Sequence, residues 1–220
     1  MSALKRTVTG DGSHSLYHST LNEHYHSQHG AIAESRHVFL KSGFDIIKKR
    51  NISILEFGFG TGLNAILTQQ TAEQRGISVN YTSLEKYPLP QSIWKDLNYA
   101  HLCGVDVGVF ERMHQSPWED VQRISPHFNL LKRQIAFKSY QAEFETYDII
   151  YFDAFAPNHQ AEVWSSDILK SCYLSLKAGG IWVSYCAQGE VRRRLQSVGF
   201  TTERIPGPPG KREMLRGRKL

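Results

Sequence analysis

The sequence predicts an α/β fold in which a mostly parallel sheet is covered by helices and closed by an antiparallel hairpin. Short apolar runs bounded by turn residues alternate with stretches of helical length through most of the chain, which is typical of parallel strands joined by crossover helices. The composition, 40% hydrophobic and 21% charged over 220 residues, suits one globular domain with a substantial core.

The first fifty residues are expected to form an extension of that domain. Residues 6 to 17 alternate polar and apolar about Gly10-Asp-Gly-Ser13, which predicts a hairpin. Residues 30 to 49 are expected to be helical, with a break near Gly43. We therefore expect a hairpin and helix extension over 1–50 and the main domain over 51–220.

In the main domain, strands and helices alternate. A helical or irregular section is expected up to about residue 100, and little hydrophobic periodicity is visible from there to about residue 138. A turn is expected at Lys177-Ala-Gly-Gly180. The predicted strands are 52 to 57, 79 to 84, 147 to 153, 181 to 185, about 200 to 205 and about 212 to 217, and the predicted helices are 63 to 75, 166 to 177 and 189 to 198.

The first main strand leads into a glycine-rich turn, Glu56-Phe-Gly-Phe-Gly-Thr-Gly-Leu-Asn64. Gly58, Gly60 and Gly62 let the backbone turn tightly and approach a ligand, and the helix that follows offers free N–H groups. Dinucleotide folds prefer Gly-x-Gly-x-x-Gly. The spacing found here, with an acid before it, favours S-adenosylmethionine; a nucleotide-binding oxidoreductase and an ordinary strand-helix turn are the alternatives.

Three acids, Glu56, Glu85 and Asp153, fall at the ends of predicted strands, where ligands bind in parallel sheets. Asp153 is expected nearest to a transferred methyl group. A carboxylate there can accept hydrogen bonds from an amine, favour loss of the ammonium proton and orient the lone pair. Phe155 and Pro157 could wall the pocket. The alternative for Asp153 is an acid that caps a turn.

The charge is unevenly distributed. The net charge is +5, yet residues 192–220 hold nine basic residues against two acids, a net +7. Such a segment can steer phosphates, although a solvated basic tail is equally compatible with it. The chain has no apolar run long enough to span a membrane and no signal-peptide core, so a cytoplasmic location is expected. The spacing of the N-terminal histidines matches no metal motif, and no metal is expected.

Several motifs together resemble the MnmC-type tRNA methyltransferases over nearly the whole chain. They are the glycine loop of residues 56–64, Leu84-Glu-Lys86, Tyr151-Phe-Asp-Ala-Phe-Ala-Pro157 with Trp164, Gly207-Pro-Pro-Gly-Lys-Arg-Glu-Met-Leu-Arg216, and the N-terminal Asp11-Gly-Ser13, Tyr25-His-Ser-x-x-Gly-Ala31 and Glu34-Ser-x-His-Val-Phe39.

The resemblance implies a Rossmann-like class I methyltransferase with a seven-stranded sheet that uses S-adenosylmethionine. The implied reaction is N-methylation of 5-aminomethyl-(2-thio)uridine at the tRNA wobble position, with the anticodon loop as partner. The chain length leaves no room for the FAD-dependent oxidoreductase domain fused to this unit in two-domain relatives. We therefore expect the stand-alone form, with a separate FAD-dependent oxidoreductase as a possible partner.

The resemblance also suggests roles for residues. The glycine loop with Glu56 and Asn64 would hold the methionine and ribose portions of the cofactor, Glu85 the ribose hydroxyls, and Lys86 the adenine. Asp153 is assigned as the catalytic residue at the amine and also as a cofactor-binding residue. The residues assigned to the substrate are His26, Ser27, Glu34, Phe155, Pro157, Lys211 and Arg212; His26 and Ser27 are expected to form a lid.

One departure from the usual pattern concerns adenine, since no acid follows the third strand and Gln134 or a backbone group would have to substitute. The main alternative function is a small-molecule amine N-methyltransferase. A non-catalytic RNA-binding module is a weaker one, because it leaves the three strand-end acids unexplained.

Overall fold

The computed structural model describes residues 4–220, which form a small N-terminal sheet and a large central sheet flanked by helices. The strands are β1 (Leu4–Val8), β2 (His14–His18), β3 (Glu23–His24), β4 (Asn51–Phe57), β5 (Ser78–Leu84), β6 (Val121–Ser125), β7 (Phe128–Arg133), β8 (Tyr147–Phe152), β9 (Leu176–Ser184), β10 (Thr201–Pro206) and β11 (Glu213–Arg218). The α-helices are α1 (Ala31–Ser35), α2 (Leu63–Arg75), α3 (Gln91–Trp94), α4 (Tyr99–Cys103), α5 (Val107–Gln115), α6 (Ser166–Ser175) and α7 (Gly189–Ser197).

The central sheet has the order β10-β11-β9-β8-β4-β5-β7-β6. Its five middle strands are parallel, and β10 and β11 form the antiparallel closing hairpin. The predicted fold is thus confirmed, but the sheet has eight strands and not seven. The additional strand, β6, lies antiparallel to β7 at the edge.

Side-chain alternation along the strands divides the core between the two faces of the sheet. In β4, Ile52 and Ile54 belong to the cluster on the α2 side, whereas Leu55 and Phe57 belong to the cluster packed against α6 and α7. Because Glu56 follows the same alternation, its side chain lies on the α2 side of the sheet and is fully buried.

The N-terminal residues cover one face and one end of the sheet. The predicted hairpin is present, since β1 and β2 pair antiparallel across the turn at residues 9–13. Helix α1 continues as a π-helical segment, Arg36–Lys41, and a 3-10 turn, Phe44–Ile46, follows the predicted break. At Gly43 a Cβ atom would lie 2.7 Å from the carbonyl oxygen of Phe39, so a larger residue does not fit.

Two sequence predictions differ from the structure. The stretch from about 100 to 138 contains α5, β6 and β7, which the sequence pattern did not reveal. Lys132 occupies an inward position of β7 and is 1% exposed, which disrupts the apolar alternation expected of a strand. Residues 177–180 do not form the predicted turn; they lie within β9, where its pairing with β8 shifts in register. Two backbone hydrogen bonds hold this stretch, from the Gly179 N–H to the Lys219 carbonyl oxygen and from the Lys219 N–H to the Gly180 carbonyl oxygen.

Among the described residues, 4–220, no helix has the length and apolar character needed to cross a bilayer.

Candidate active site

A cavity of about 970 Å³ opens at the carboxyl ends of β4, β5 and β8, beneath the N-terminal sheet. The predicted site residues that line it are Gly58, Gly60, Asn64, Glu85, Lys86, Asp153, His26, Ser27, Glu34, Phe155 and Lys211. Four others do not line it: Glu56, Gly62, Pro157 and Arg212. The structure therefore brings residues from both ends of the chain to one cavity.

The glycine loop forms the floor of this cavity. Gly58 has φ 102°, and a Cβ atom there would lie 2.5 Å from the carbonyl oxygen of Asp153. Gly60 has φ 49°, and its N–H donates to Glu85 Oε2 at 3.0 Å. Gly62, at φ 75°, packs against His114, where a Cβ would lie 2.9 Å from Nε2. Gly62 therefore shapes the loop from behind, which explains its absence from the cavity wall.

Glu85 stands at the wall with both oxygens in use. Besides the bond from Gly60, Oε1 accepts the N–H of Tyr87 at 2.8 Å. Burial raises the pKa of Glu85, although the backbone hydrogen bonds partly oppose this. Each carboxylate oxygen has a further lone pair, so Glu85 can still accept hydrogen bonds from ligand hydroxyls.

Asn64 connects two acids beneath the cavity. Its Nδ2 donates to Asp153 Oδ2 at 2.8 Å and to Glu56 Oε1 at 3.1 Å, and its Oδ1 accepts the Ser35 hydroxyl. The second oxygen of Glu56 accepts from Ser83 Oγ at 2.6 Å. The amide of Asn64 is thus fully engaged and fixes the orientation of the Asp153 carboxyl group.

Both acids hold their protons more tightly than usual. Burial raises the pKa of Glu56 to about 8, and repulsion from Asp153 adds to the effect. Burial likewise raises the pKa of Asp153 to about 7; Asn64 and Lys211 oppose this, and Glu34 reinforces it. Near neutral pH the pair therefore retains a proton, and Asp153, which has the lower pKa of the two, is the acid that ionises first.

Aromatic side chains surround Asp153. The rings of Tyr25 and Phe155 meet edge to face, with centroids 5.1 Å apart. Tyr185 donates its hydroxyl to the carbonyl oxygen of Ala154 at 2.8 Å. Sequence reasoning identified Phe155 but missed both tyrosines. Tyr25 and Tyr185 lie in different parts of the chain, and only the fold brings them together.

An ion pair between Lys211 and Glu34 lies at the side of the cavity near Tyr185. Lys211 Nζ lies 3.1 Å from Glu34 Oε1 and 3.8 Å from the centre of the Tyr185 ring. The other oxygen of Glu34 accepts the N–H of Ser27 at 2.7 Å. Glu34 thus joins the N-terminal segment to the loop before β11.

His26 is fixed between two hydroxyl groups. Its Nδ1 lies 3.2 Å from Ser15 Oγ, and its Nε2 lies 3.4 Å from Thr61 Oγ1. Burial lowers the pKa of His26 to about 4, so the ring is neutral at physiological pH. Among residues 4–220 no cluster of histidine, cysteine and acidic side chains is arranged to hold a metal ion.

An aromatic and cationic group supports the glycine loop from behind and was missed by the sequence analysis. Lys132 Nζ donates to the carbonyl oxygen of His114 at 2.7 Å and lies 4.7 Å from the centre of the Trp118 ring. His114 Nε2 lies 3.1 Å from the carbonyl oxygen of Thr61. Burial lowers the pKa of Lys132 to about 8. The sequence gives little sign of this group, because its lysine lies in a segment without a visible pattern.

The region after the third parallel strand differs from the suggestion made for adenine. Gln134 does not line the cavity, and its N–H donates to Glu119 Oε1 at 2.6 Å. Ala136, Phe137 and Lys138 line the cavity in its place. This edge of the cavity therefore offers a ligand backbone groups, the Phe137 ring and the Lys138 side chain.

Known proteins resemble this chain in sequence and in fold. Residues 114–220 match the family model described as S-adenosyl-L-methionine-dependent methyltransferase. Over 213 residues the chain is 29% identical to the tRNA 5-methylaminomethyl-2-thiouridine biosynthesis bifunctional protein MnmC of Cupriavidus metallidurans, covering 90% of this chain and 31% of that protein. It is 30% identical over 222 residues to the protein of the same name from Nitrosospira multiformis, covering 92% of this chain and 35% of that protein.

The solved structure of MNMC2 from Aquifex aeolicus matches with a TM-score of 0.77 and 27% identity, covering 99% of this chain and 71% of that chain. Spermidine synthase from Thermotoga maritima, at 12% identity and a TM-score of 0.56 over 98% of this chain and 72% of that one, shares the fold. The chain spans about a third of the length of the curated relatives it matches. In its fold and in these similarities, the chain resembles the S-adenosyl-L-methionine-dependent methyltransferases, and over about 90% of its length it is similar to MnmC.

Proposed function

We propose that this chain methylates the primary amine of 5-aminomethyl-(2-thio)uridine at the wobble position of tRNA, with S-adenosylmethionine as methyl donor. The similarity to MnmC supports the substrate class. The observation that carries the chemistry is the Asp153 carboxyl group, which Asn64 orients at the wall of a deep cavity surrounded by aromatic rings.

The cavity fits the proposed cofactor. Gly58 and Gly60 leave a floor without Cβ atoms, and Glu85 offers carboxylate lone pairs at the same edge. In this arrangement Glu85 would bind the ribose hydroxyls, and Lys86 and Phe137, which also line the cavity, would contact the adenine. Asn64 is the one polar side chain of the glycine motif that combines a place at the cavity with a bond to Asp153. The bound cofactor supplies an electrophilic methyl group.

Asp153 then serves the acceptor. An aminomethyl group enters as an ammonium ion, so it needs a base before it can attack. The ionised Asp153 carboxylate accepts N–H bonds from the ammonium and takes one proton, which leaves the nitrogen lone pair free and oriented. The new N–C bond would form as the S–C bond breaks, which gives a secondary ammonium ion and a neutral thioether, and the ammonium ion would then release its extra proton to water. With a pKa of about 7, Asp153 suits both the uptake and the release of a proton near neutral pH.

The cavity walls suit a base that has left its stack. Tyr25 and Phe155 present aromatic faces and edges on one side, and Tyr185 with Lys211 forms the other. Aromatic walls are how proteins hold unstacked RNA bases. His26 and Ser27 form part of the cover, as a lid held by Thr61 and Glu34. We further propose, by analogy with the bifunctional relatives, that an FAD-dependent oxidoreductase makes the aminomethyl group and that both proteins act in the cytoplasm.

The proposal is tested by methyl transfer from labelled S-adenosylmethionine to tRNA that carries the unmethylated 5-aminomethyl nucleoside, followed by nucleoside mass analysis. The expected product is that nucleoside with one added CH₂ group. The control is Asp153→Asn, which should bind the cofactor and leave the tRNA unlabelled. If the wild type binds cofactor but labels a small amine and no tRNA, the small-molecule N-methyltransferase is the correct function.

A further inference from the structure

The segment between the cavity and the first strand of the central sheet is strongly basic. Residues 36–50 contain five cationic side chains and one acid, Asp45, for a net charge of +4. Arg36, Lys41, Lys48 and Arg50 are exposed. The net charge of this one segment is therefore nearly as large as the +5 of the whole chain.

This segment runs along the sheet from the cavity to the opposite edge. At its start, Ser35 donates a hydrogen bond to Asn64 beneath the cavity. At its end, Asp45 pairs with Arg75 in the last turn of α2. The neighbouring strand β4 has seven residues, so the distance between the two edges is about 23 Å.

Four of the cations are not neutralised. Lys49 pairs with Asp148 at 2.6 Å, and Asp45, the acid of the segment, is occupied by Arg75. Arg36, Lys41, Lys48 and Arg50 form no ion pair with any of residues 4–220. We call these four residues the basic track.

The C-terminal segment, which the sequence singled out for its charge, differs in this respect. Acidic residues pair with most of its cations: Arg194 with Glu190, Arg204 with Glu213, Lys211 with Glu34, Arg216 with Glu203 and Lys219 with Glu145. Its helix α7 also lies on the opposite face of the sheet from the basic track. The local field of this segment is thus weaker than its sequence charge suggests.

The far end of the basic track borders a recess of about 310 Å³. It is lined by Lys48, Lys49, Arg50 and Arg75, by one acid, Asp45, which pairs with Arg75, and by apolar side chains that include Phe44. Cations arranged around such a depression concentrate a positive potential and attract phosphate groups.

We propose that the basic track binds the phosphate backbone of an RNA stem whose loop delivers a base to the cavity. The inference rests on the proposed function, because it takes the substrate to be tRNA. The length of β4, about 23 Å, corresponds to about seven phosphates of one strand along the axis of a duplex. The track gives affinity and orientation without reading sequence, and the cavity selects the base.

The test measures binding of tRNA, by fluorescence anisotropy at several salt concentrations, to the wild type and to two double variants. Lys41→Glu/Lys48→Glu reverses two charges of the track. Lys170→Glu/Arg193→Glu is the matched control, with the same change in charge at exposed positions of α6 and α7 on the other face. Cofactor binding and thermal unfolding report on folding, and Lys41→Arg/Lys48→Arg should bind like the wild type.

We expect the track variant to bind tRNA at least about tenfold more weakly, with a salt slope lower by about 2, while the control changes little. An anticodon stem-loop with its full stem should show the same loss, and a loop without the stem should not. Equal weakening by both double variants, or none by the track variant, overturns the inference while tRNA methylation by the wild type still stands. A wild type that neither binds nor methylates tRNA refutes the proposed function itself.

Discussion

Replacing Glu56 by glutamine should make the protein more stable, and increasingly so as the pH rises. Glu56 is fully buried, and its oxygens accept from Ser83 Oγ and Asn64 Nδ2. When Glu56 is protonated, its hydroxyl group can donate to Ser83 instead. A glutamine reproduces this neutral form, because its NH₂ group can donate to Ser83 and its oxygen can accept from Asn64.

The size of the effect follows from the pKa. Burial raises the pKa of Glu56 from 4.5 to about 8, so folding takes up a proton between these two values. An acid with a raised pKa contributes stability that is fully present below pH 4.5 and is lost as the pH rises through 8. At 1.36 kcal/mol per unit, the loss is about 5 kcal/mol over the whole window and about 3 kcal/mol by pH 7.

Urea denaturation of wild type and Glu56→Gln at several pH values between 5 and 7.5, inside that window, measures this difference. The free energy of unfolding of the variant, minus that of the wild type, should rise by about 1.4 kcal/mol per pH unit. Taking the difference cancels most of the contribution of other titrating groups, such as His26.

Asp148→Asn is the matched control, since Asp148 is also buried within a strand. Burial alone would raise the pKa of Asp148, but hydrogen bonds from Lys49, the Ser53 N–H and Lys177 more than offset this and lower it. Its stability contribution is present above pH 3.8 and is lost as the pH falls, so Asp148→Asn should be destabilising by a constant amount across the same pH range. If the Glu56→Gln difference is equally flat, Glu56 does not gain a proton on folding and the reasoning fails.

Three further predictions concern the reaction. Asp153→Asn should keep cofactor affinity and lower the rate of methyl transfer by about 10²- to 10⁴-fold. In the wild type this rate should fall as the pH drops below about 7, because Asp153 becomes protonated. Normal methylation by the variant would show that Asp153 is not catalytic. His26→Ala should raise the KM for tRNA or cofactor and leave the pH dependence of the rate above pH 5 unchanged, because the His26 ring is already neutral there. Unchanged KM values would refute the lid. Lys132→Met removes the donor to the carbonyl oxygen of His114, so we expect the free energy of unfolding to fall by about 1–3 kcal/mol and cofactor binding to weaken. If calorimetry shows neither change, Lys132 does not support the glycine loop.

Much of the fold could be predicted because strand and helix periods are local. The strand that ends at Phe57, the helix from Leu63 to Arg75 and the closing hairpin follow from apolar spacing and glycine positions alone. Strand β7 could not be found in this way. Lys132 points inward there because the ring of Trp118 and the carbonyl oxygen of His114 receive its ammonium group, and both partners lie outside the strand.

The three acids near strand ends show how far a site can be predicted from local sequence. Glu85 and Asp153 each come one residue after their strand ends, at Leu84 and Phe152, and both line the cavity. Glu56 is followed by one more strand residue, Phe57, and alternation places the Glu56 side chain in the core beside α2. An acid one residue after its strand therefore lines the cavity, whereas an acid inside the strand is buried in the core. Side-chain alternation along the strand makes this difference readable from the sequence.

The link between Glu56 and Asp153 lies beyond local pattern, because Asn64 joins them from the first turn of α2. That link also bears on why an acid stands at position 56. A glutamine there would satisfy Ser83 and Asn64 and would not have to bind a proton on folding, so stability alone favours the amide. Repulsion across Asn64 makes the Glu56 carboxyl group harder to ionise once Asp153 is charged. The first negative charge of the buried pair therefore lies on Asp153, the acid that faces the cavity, and Glu56 keeps its proton.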